Sequence, residues 1–308
     1  MITPVALALA LALDAWLGEP EWLWSRVPHP AVLMGRLIGW SDRHFNPGGK
    51  DRGRGIFALV GFCALTWIIG SLIVGLPGGP ILEVIAAAIL LAQRSLADHV
   101  TAVAEALERS LAEARTAVGQ IVGRDTGQME ESDIARAAIE SAAENLSDAV
   151  VAPAFWFLLG GLPALLLYKM INTADSMIGY RTERHLGFGW ASARLDDLLN
   201  WVPARLTALM IAALYGGISH WQRIVTDAQR HRSPNAGWPE AAMARALGVA
   251  LSGPRRYHGQ LTEDPFVHPE GRKALGAKDI RAAVAVLWRV WGLLLVLCVA
   301  AALGSWLA

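Results

Sequence analysis

The chain has 308 residues, 54% of them hydrophobic and only 18% charged, with 27 basic side chains balanced by 27 acidic ones. Zero net charge gives no footprint for nucleic acid, and the apolar excess excludes an ordinary soluble or disordered chain. Thirteen tryptophans against four tyrosines suit interfacial anchoring, while Cys63 and Cys298, both inside apolar runs, lack metal or redox spacing and read as packing residues.

In chain order, residues 2–17 form a short apolar segment carrying Asp14. No basic residue precedes it and no cleavage site follows, so it is expected to be retained. Residues 56–76 and 284–307 are long enough, at about 1.5 Å per residue, to cross about 30 Å of hydrocarbon. Arg289 sits early in the second, where its head can snorkel. Residues 81–92 are too short alone and are expected to continue past Gln93. Residues 149–168 have the length to cross, but Gly160-Gly161-Leu162-Pro163 breaks them, favouring two half-helices that dip and return. Residues 205–219 are marginal and end in Gly216-Gly217. Arg26, Arg36, Arg43, Lys50, Arg52 and Arg54 place the first long loop inside. With a re-entrant 149–168, the stretches 93–148 and 172–200 share that side.

The 93–148 stretch predicts two helices. One runs through Arg94, Asp98, Glu105, Arg109 and Glu113; residues 123–127 punctuate it. The other starts near Ser132 as cap, with Asp133 in the first turn. On the second, Glu140, Glu144 and Asp148 recur at four-residue spacing and so share a face. An isolated acidic row is ordinarily a wet, screened face. This one is followed by Asn172, Asp175 and Ser176, then by Asp196, Asp197 and Asn200, interleaved with Lys169, Arg181, Arg184 and Arg194. Magnesium takes one or two carboxylates plus substrate phosphates, and arginines match phosphate oxygens. The mixture predicts a site for a magnesium nucleotide or a phosphorylated substrate. A Gly-x-x-x-x-Gly-Lys loop is missing, and Gly53-Arg54-Gly55 lacks its context. Residues 220–281 open with a Pro/Gly loop, followed by a short helix over 240–247. Trp238 either packs on a planar ligand or anchors its loop; His231 either meets phosphate or is solvated. The eight histidines show no zinc-type spacing.

Several separated motifs resemble the CobD/CbiB family of adenosylcobinamide-phosphate synthases over nearly the whole chain. They include Pro28-His29-Pro30, Arg94-Ser95-Leu96, Val122-Gly123-Arg124-Asp125-Thr126, Glu140-Ser141 and Glu144-Asn145. The most specific are Asn172-Thr173-Ala174-Asp175-Ser176-Met177-Ile178-Gly179, Arg181-Thr182-Glu183-Arg184, the run from Gly189 to Asp197, and Ser233-Pro234-Asn235-Ala236-Gly237-Trp238-Pro239-Glu240. Glu19-Pro20, Tyr180 and Arg245 depart from the usual pattern. The resemblance implies an all-α polytopic membrane protein with several transmembrane or re-entrant helices and a polar helical cytoplasmic portion, one integral membrane domain over residues 1–308. It implies a multi-pass protein of the bacterial inner membrane with a cytoplasmic site. The implied reaction is ATP-dependent amide formation between adenosylcobyric acid and 1-amino-2-propanol phosphate, or a related amino-alcohol phosphate, in cobalamin biosynthesis. Implied partners are those corrinoid and amino-alcohol phosphate substrates, with a homo-oligomer or other enzymes of the pathway beside them.

The resemblance does not supply individual roles, so these are expectations from the residues. Glu140, Glu144, Asp175, Asp196 and Asp197 are candidates to hold Mg²⁺, with Asp175, Asp196, Asp197 and Lys169 as the catalytic set. Lys169, Arg181, Arg184 and Arg194 are candidates for phosphate, Asn172, Ser176 and Asn200 for substrate orientation, and Trp238 for the corrinoid border. The competing readings are an AmpE-like membrane regulatory protein without catalysis, and a corrinoid carrier.

Overall fold

The computed structural model describes residues 3–257, 260–262 and 264–307. In chain order the helices are α1 (Thr3–Leu17), α2 (Glu21–Trp24), α3 (Pro30–Phe45), α4 (Arg52–Gly75), α5 (Gly79–Leu90), α6 (Gln93–Arg109), α7 (Leu111–Val118) and α8 (Glu131–Asn145). A π-turn over Leu146–Val151 leads to α9 (Ala152–Ile178), followed by α10 (Trp190–Leu199), α11 (Trp201–Leu214), α12 (Trp221–Gln229) and α13 (Gly237–Leu247). Four short strands, β1 (Leu251–Ser252), β2 (Arg255–Tyr257), β3 (Gln260–Thr262) and β4 (Phe266–Val267), precede α14 (Ala277–Leu307). The strands form two antiparallel pairs, β1 with β4 and β2 with β3.

Among the described residues four helical runs are long and apolar enough to cross a membrane: Arg52–Gly75, Gly79–Arg109, Glu131–Ile178 and Ala277–Trp306. The protein is thus an all-α multi-pass membrane protein. Only 28% of the apolar window of α4 is buried, and Phe57, Ile68 and Leu72 stand exposed on it. Large apolar side chains around a helix are stable when hydrocarbon covers them. The hydroxyl of Thr66, buried within it, turns back to the Phe62 carbonyl at 2.8 Å.

The chain divides into two compact units. The first holds the described residues of Met1–Ala92, Ala152–Asn200 and Leu295–Ala308. Within it α9 is not one rod, because Gly160 (φ −145°, ψ 19°) and Gly161 (φ 62°, ψ −156°) leave helical geometry. Gly161 adopts a left-handed backbone that a side chain would disfavour. The arms on either side meet the same neighbours: Trp156 Nε1 donates to the Leu199 carbonyl (3.2 Å) and the Tyr168 hydroxyl to Asn200 Oδ1 (2.9 Å). Ala152 also shares a core cluster with Tyr168 and Ile171. Nineteen residues of straight helix would hold Ala152 and Ile171 about 28 Å apart. The chain therefore folds back at Gly160-Gly161, giving the two half-helices expected from the Gly-Gly-Leu-Pro break. Glu83 of α5 accepts from the Leu162 amide at 3.2 Å, satisfying a donor that the break frees at the start of the second arm.

The second unit holds Gln93–Val151 and Trp201–Leu294. Here α8 packs through fully buried alanines, Ala135, Ala138 and Ala142 among them, which let neighbouring helices approach closely. Three local expectations are corrected. The 94–113 helix is interrupted at Ser110, which caps α7 by accepting from the Glu113 amide. The cap of α8 is Glu130 in a reciprocal box with Asp133, while the Ser132 hydroxyl exchanges bonds with the Leu275 backbone. The α-helical row of Glu140, Glu144 and Asp148 also breaks, because the π-turn begins at Leu146 and changes the angular step. Glu140 is buried, Glu144 is exposed and Asp148 is half-buried.

Candidate functional site

In the first unit, the second arm of α9 and the helix α10 bring together most of the charged patch. Tyr168, Asn172 and Asp175 recur at helical spacing along one stripe of α9. Opposite them, Asp196 lies on α10 and Asn200, one turn on, caps its C-terminus. Asp196 is the centre: Asn172 Nδ2 donates to its Oδ1 (3.2 Å) and Asn200 Nδ2 to its Oδ2 (3.0 Å). Asn200 is fixed in turn by the Tyr168 hydroxyl, so a fully buried tyrosine orients the amide that orients the carboxylate.

At ten residues, α10 is about 15 Å long, and with α11, bent by 40° across the break at Asn200, it makes a further run long and apolar enough to cross a membrane. Asp175 and Asp197 bring further negative charge to this buried carboxylate, and the two amides donate to it. Asp197 has Arg194 and Arg181 as its cationic neighbours. Arg194 Nη1 stands 3.7 Å from Asp197 Oδ2, one turn back on α10. Asp175 lies against Gly179, where a Cβ would run into its carboxylate and carbonyl. Glycine there lets the chain leave α9 directly beside the acid.

The remaining residues of the patch have other surroundings. Lys169 is half-buried, and its carbonyl accepts from the Thr173 hydroxyl (2.7 Å). The exposed Ser176 hydroxyl turns back to the Thr173 carbonyl (2.9 Å). Arg184 is held by Asp42 of α3, with Nη2 at 2.8 Å and Nε at 3.0 Å from Oδ2. Asn46 bonds both Asp42 (2.7 Å) and the Arg184 carbonyl (2.8 Å), and Gly187 donates to the Gly49 carbonyl (2.7 Å). The connection from Gly179 to Gly189 is thereby clamped to the Asp42–Gly49 segment. Burial raises the Asp42 carboxyl, but the bonds from Asn46 and Arg184 outweigh it and hold it below the ordinary carboxylate range.

Glu140, Glu144 and Trp238 belong to the second unit. Glu140 Oε2 takes Arg124 at 2.5 Å and Oε1 takes the Ser252 amide at 2.6 Å, both ends buried. Ser252 holds a left-handed φ of 59°. Trp238 is half-buried beside Trp221, with the Arg205 guanidinium 4.5 Å from its ring centre and 4.3 Å from that of Trp201. His231 accepts from the Ser233 amide (3.1 Å) and stands 3.5 Å from Glu240, so it organises the 231–240 loop.

Reading the residues missed Tyr168, Asp42, Asn46 and Ser252, and gave Arg124 no role. Only Tyr168 carried a usable signal: a hydroxyl in an apolar run must find a partner. Among the described residues no group of three or more His, Cys, Asp or Glu side chains is gathered for a metal. Asp175, Asp196 and Asp197 instead repel one another around a buried carboxylate. That arrangement fits a cation completed by phosphate and water, and magnesium asks a protein for only one or two carboxylates.

A family profile described as CobD/Cbib protein matches residues 7–287. The chain belongs to the CobD/CbiB family. It is 47% identical to the cobalamin biosynthesis protein CobD of Brucella suis biovar 1, with 97% of each chain covered. It is 48% identical to the CobD of Rhizobium meliloti, with 96% of each covered, and 44% identical to that of Rhodobacter capsulatus, with 94% of this chain and 97% of the relative covered. No solved structure matches the chain.

Proposed function

We propose that this member of the CobD/CbiB family acts in cobalamin biosynthesis as an ATP-dependent ligase, joining adenosylcobyric acid to 1-amino-2-propanol phosphate or a related amino-alcohol phosphate. The relatives' names support the pathway. The observation that carries the chemistry is Asp196, buried and held by Asn172 and Asn200, with two further carboxylates beside it and Arg181 and Arg194 next to Asp197. A regulatory scaffold has no use for a buried carboxylate cluster positioned by two amides.

The proposed reaction has two steps. A propionate oxygen of the corrinoid attacks the γ-phosphorus of ATP, giving an acyl phosphate and ADP. The amine nitrogen then attacks the acyl carbon; the C–O bond breaks, phosphate leaves, and the amine loses a proton. Asp175 and Asp197 are the residues to hold Mg²⁺, which when bound neutralises charge on the phosphates. Glu140 is not needed for this, since Arg124 and Ser252 occupy its carboxylate. Arg181 and Arg194 face phosphate oxygens, with Lys169 of the second arm of α9 as the third cation. Asn172 and Asn200 hold Asp196 in one orientation, and Ser176 lies one residue beyond Asp175. The basic first loop supports a site on the cytoplasmic side of a bacterial inner membrane.

The test incubates detergent-purified protein with adenosylcobyric acid, aminopropanol phosphate and Mg-ATP, followed by mass spectrometry. The amide should appear only with ATP and Mg²⁺, and Asp197→Asn should lower turnover by roughly 100-fold. Absence of product from folded, corrinoid-binding protein overturns the ligase reading in favour of a carrier. Full turnover by Asp197→Asn and Asp175→Asn removes the metal assignment alone.

A further inference from the structure

A groove of about 260 Å³ lies in the first unit between α3, α4 and the second arm of α9. Leu33 and Leu37 of α3, Leu65 and Ile69 of α4, and Leu166 and Met170 of α9 line it. Thr66 is the polar residue of the lining, and its hydroxyl is already given to the Phe62 and Cys63 carbonyls at 2.8 and 3.2 Å. The lining therefore has no free side-chain donor. Leu33, Leu65 and Ile69 are 50%, 41% and 41% exposed, so the groove opens outward.

Chain position sets the depth of the groove. α3 ends at Phe45 and α4 begins at Arg52, so the two helices share one polar end, where Asp51 caps α4 and pairs with Arg54. The groove starts about 12 Å along α3 from Phe45 and lies about 20 Å along α4 from Arg52, inside a hydrocarbon layer about 30 Å thick. It is continuous with the membrane face of α4, because Ile68 and Leu72 stand exposed beside Leu65 and Ile69 on that helix. Toward the polar end the outer surface of α3 changes character. Trp40, 45% exposed, extends the stripe of Leu33 and Leu37 by one turn, and its ring packs on His44 (4.9 Å) and Phe45 (5.4 Å). Beside that stripe Arg36 and Arg43, two turns apart, are both exposed, and neither has an ion pair among the described residues. Arg54 and Arg184 nearby each hold a carboxylate.

We propose that this groove holds one acyl chain of an anionic membrane phospholipid, whose headgroup lies on Arg36 and Arg43. Three observations choose that occupant. A wall without a free donor suits hydrocarbon, which has no polar group to satisfy. The volume falls below the roughly 300 Å³ at which pockets for compact ligands begin, so it fits a segment of a chain that continues into the bilayer. Two unpaired arginines beside an exposed tryptophan give the sign of the headgroup, because basic side chains at a membrane surface attract anionic lipid and tryptophan settles at the headgroup level. The bound chain packs on Leu166 and Met170, on the arm of α9 that leads to Asn172 and Asp175. The lipid thereby supports that arm from its outer side.

The test adds phosphatidylglycerol or phosphatidylcholine with the same acyl chains to the full chain in detergent and counts retained lipid by native mass spectrometry. Phosphatidylglycerol should be retained in preference, and Arg36→Gln and Arg43→Gln should each lower that preference about fivefold. Leu37→Trp fills the groove and should abolish retention, whereas Leu72→Trp, on α4 outside the lining, should not. Phosphatidylglycerol with a photoreactive group on its chain should mark wild-type protein at residues 33–37, 65–69 and 166–170, which keeps the test open if Leu37→Trp fails to fold. Equal retention of the two lipids, retention that Leu37→Trp leaves unchanged, or marks spread evenly over α4 and α14 overturns the proposal. A dimer that Leu37→Trp dissociates overturns it in favour of a second copy of the chain. No readout involves ATP or amide formation, so its failure is distinct from failure of the ligase reading.

Discussion

Tyr168 shows how one hydroxyl sets the geometry of a charged cluster. It is fully buried, and it donates to Asn200, whose amide nitrogen holds Asp196. Tyr168→Phe keeps the ring packed but leaves a buried amide oxygen short of a donor, at a cost of about 1–3 kcal/mol. The expected result is a lower unfolding temperature in detergent together with a fall in turnover at unchanged KM for ATP. Unchanged turnover would separate the tyrosine from the site. The acids and amides of this cluster were visible in the sequence because such residues are conspicuous beside apolar runs. Their pairing was not, because Asn172 and Asp196 are 24 positions apart and only the packing of two helices brings them together. Arg184 illustrates the opposite case. Nothing in its local sequence announces Asp42, 142 positions away, as the carboxylate that takes its guanidinium.

At the scale of elements, two devices hold the cluster in place. The first is the hairpin in α9, where Glu83 satisfies the amide of Leu162. Glu83→Leu removes that acceptor inside an apolar region and should cost about 1 kcal/mol, as loss of a helix cap does. Hydrogen exchange should rise at residues 161–165 and not in α4; uniform exchange would contradict the capping role. The second is the clamp of Asp42 on the 179–189 connection. Its folded-state carboxyl lies below the ordinary range, so folding favours the ionised form. The stability it contributes is complete above the unfolded carboxylate range, near pH 4, and is lost as pH falls through the depressed value. Wild-type protein should therefore exceed Asp42→Asn in thermal stability near neutral pH, and the gap should close on acidification below about pH 4. A gap that is constant with pH would point to packing instead. The Gly160-Gly161 break was legible because glycine and proline act locally. The π-turn after Asn145 was not, because it arises from how α8 and its neighbours pack.

For the whole molecule, the apolar runs decide the solvent. Most of α4 is unburied by protein, and Phe57 is 75% exposed. With Cys63 and Cys298 replaced by Ala, a single cysteine at Phe57 or Ile68 should resist aqueous maleimide in bilayers and react after detergent unfolding. Rapid labelling in intact bilayers would remove α4 from the hydrocarbon. The two compact units divide the expected site residues unevenly: Asn172 to Asn200 in the first, Glu140, Glu144 and Trp238 in the second.

The membrane class, the long apolar helices, the break in α9, the family and the place of the charged patch are all written in the order of residues along the chain. Each follows from local composition, from glycine and proline geometry, or from motifs read along the chain. Packing selects which carboxylate is central, gives Glu140 to Arg124 and Ser252, and puts Arg184 in the clamp. It also assembles the groove of Leu37, Leu65 and Leu166 from three separate stretches. Those outcomes depend on burial and on side chains meeting across tens of residues, and a buried charge accepts whichever partner packing brings within reach.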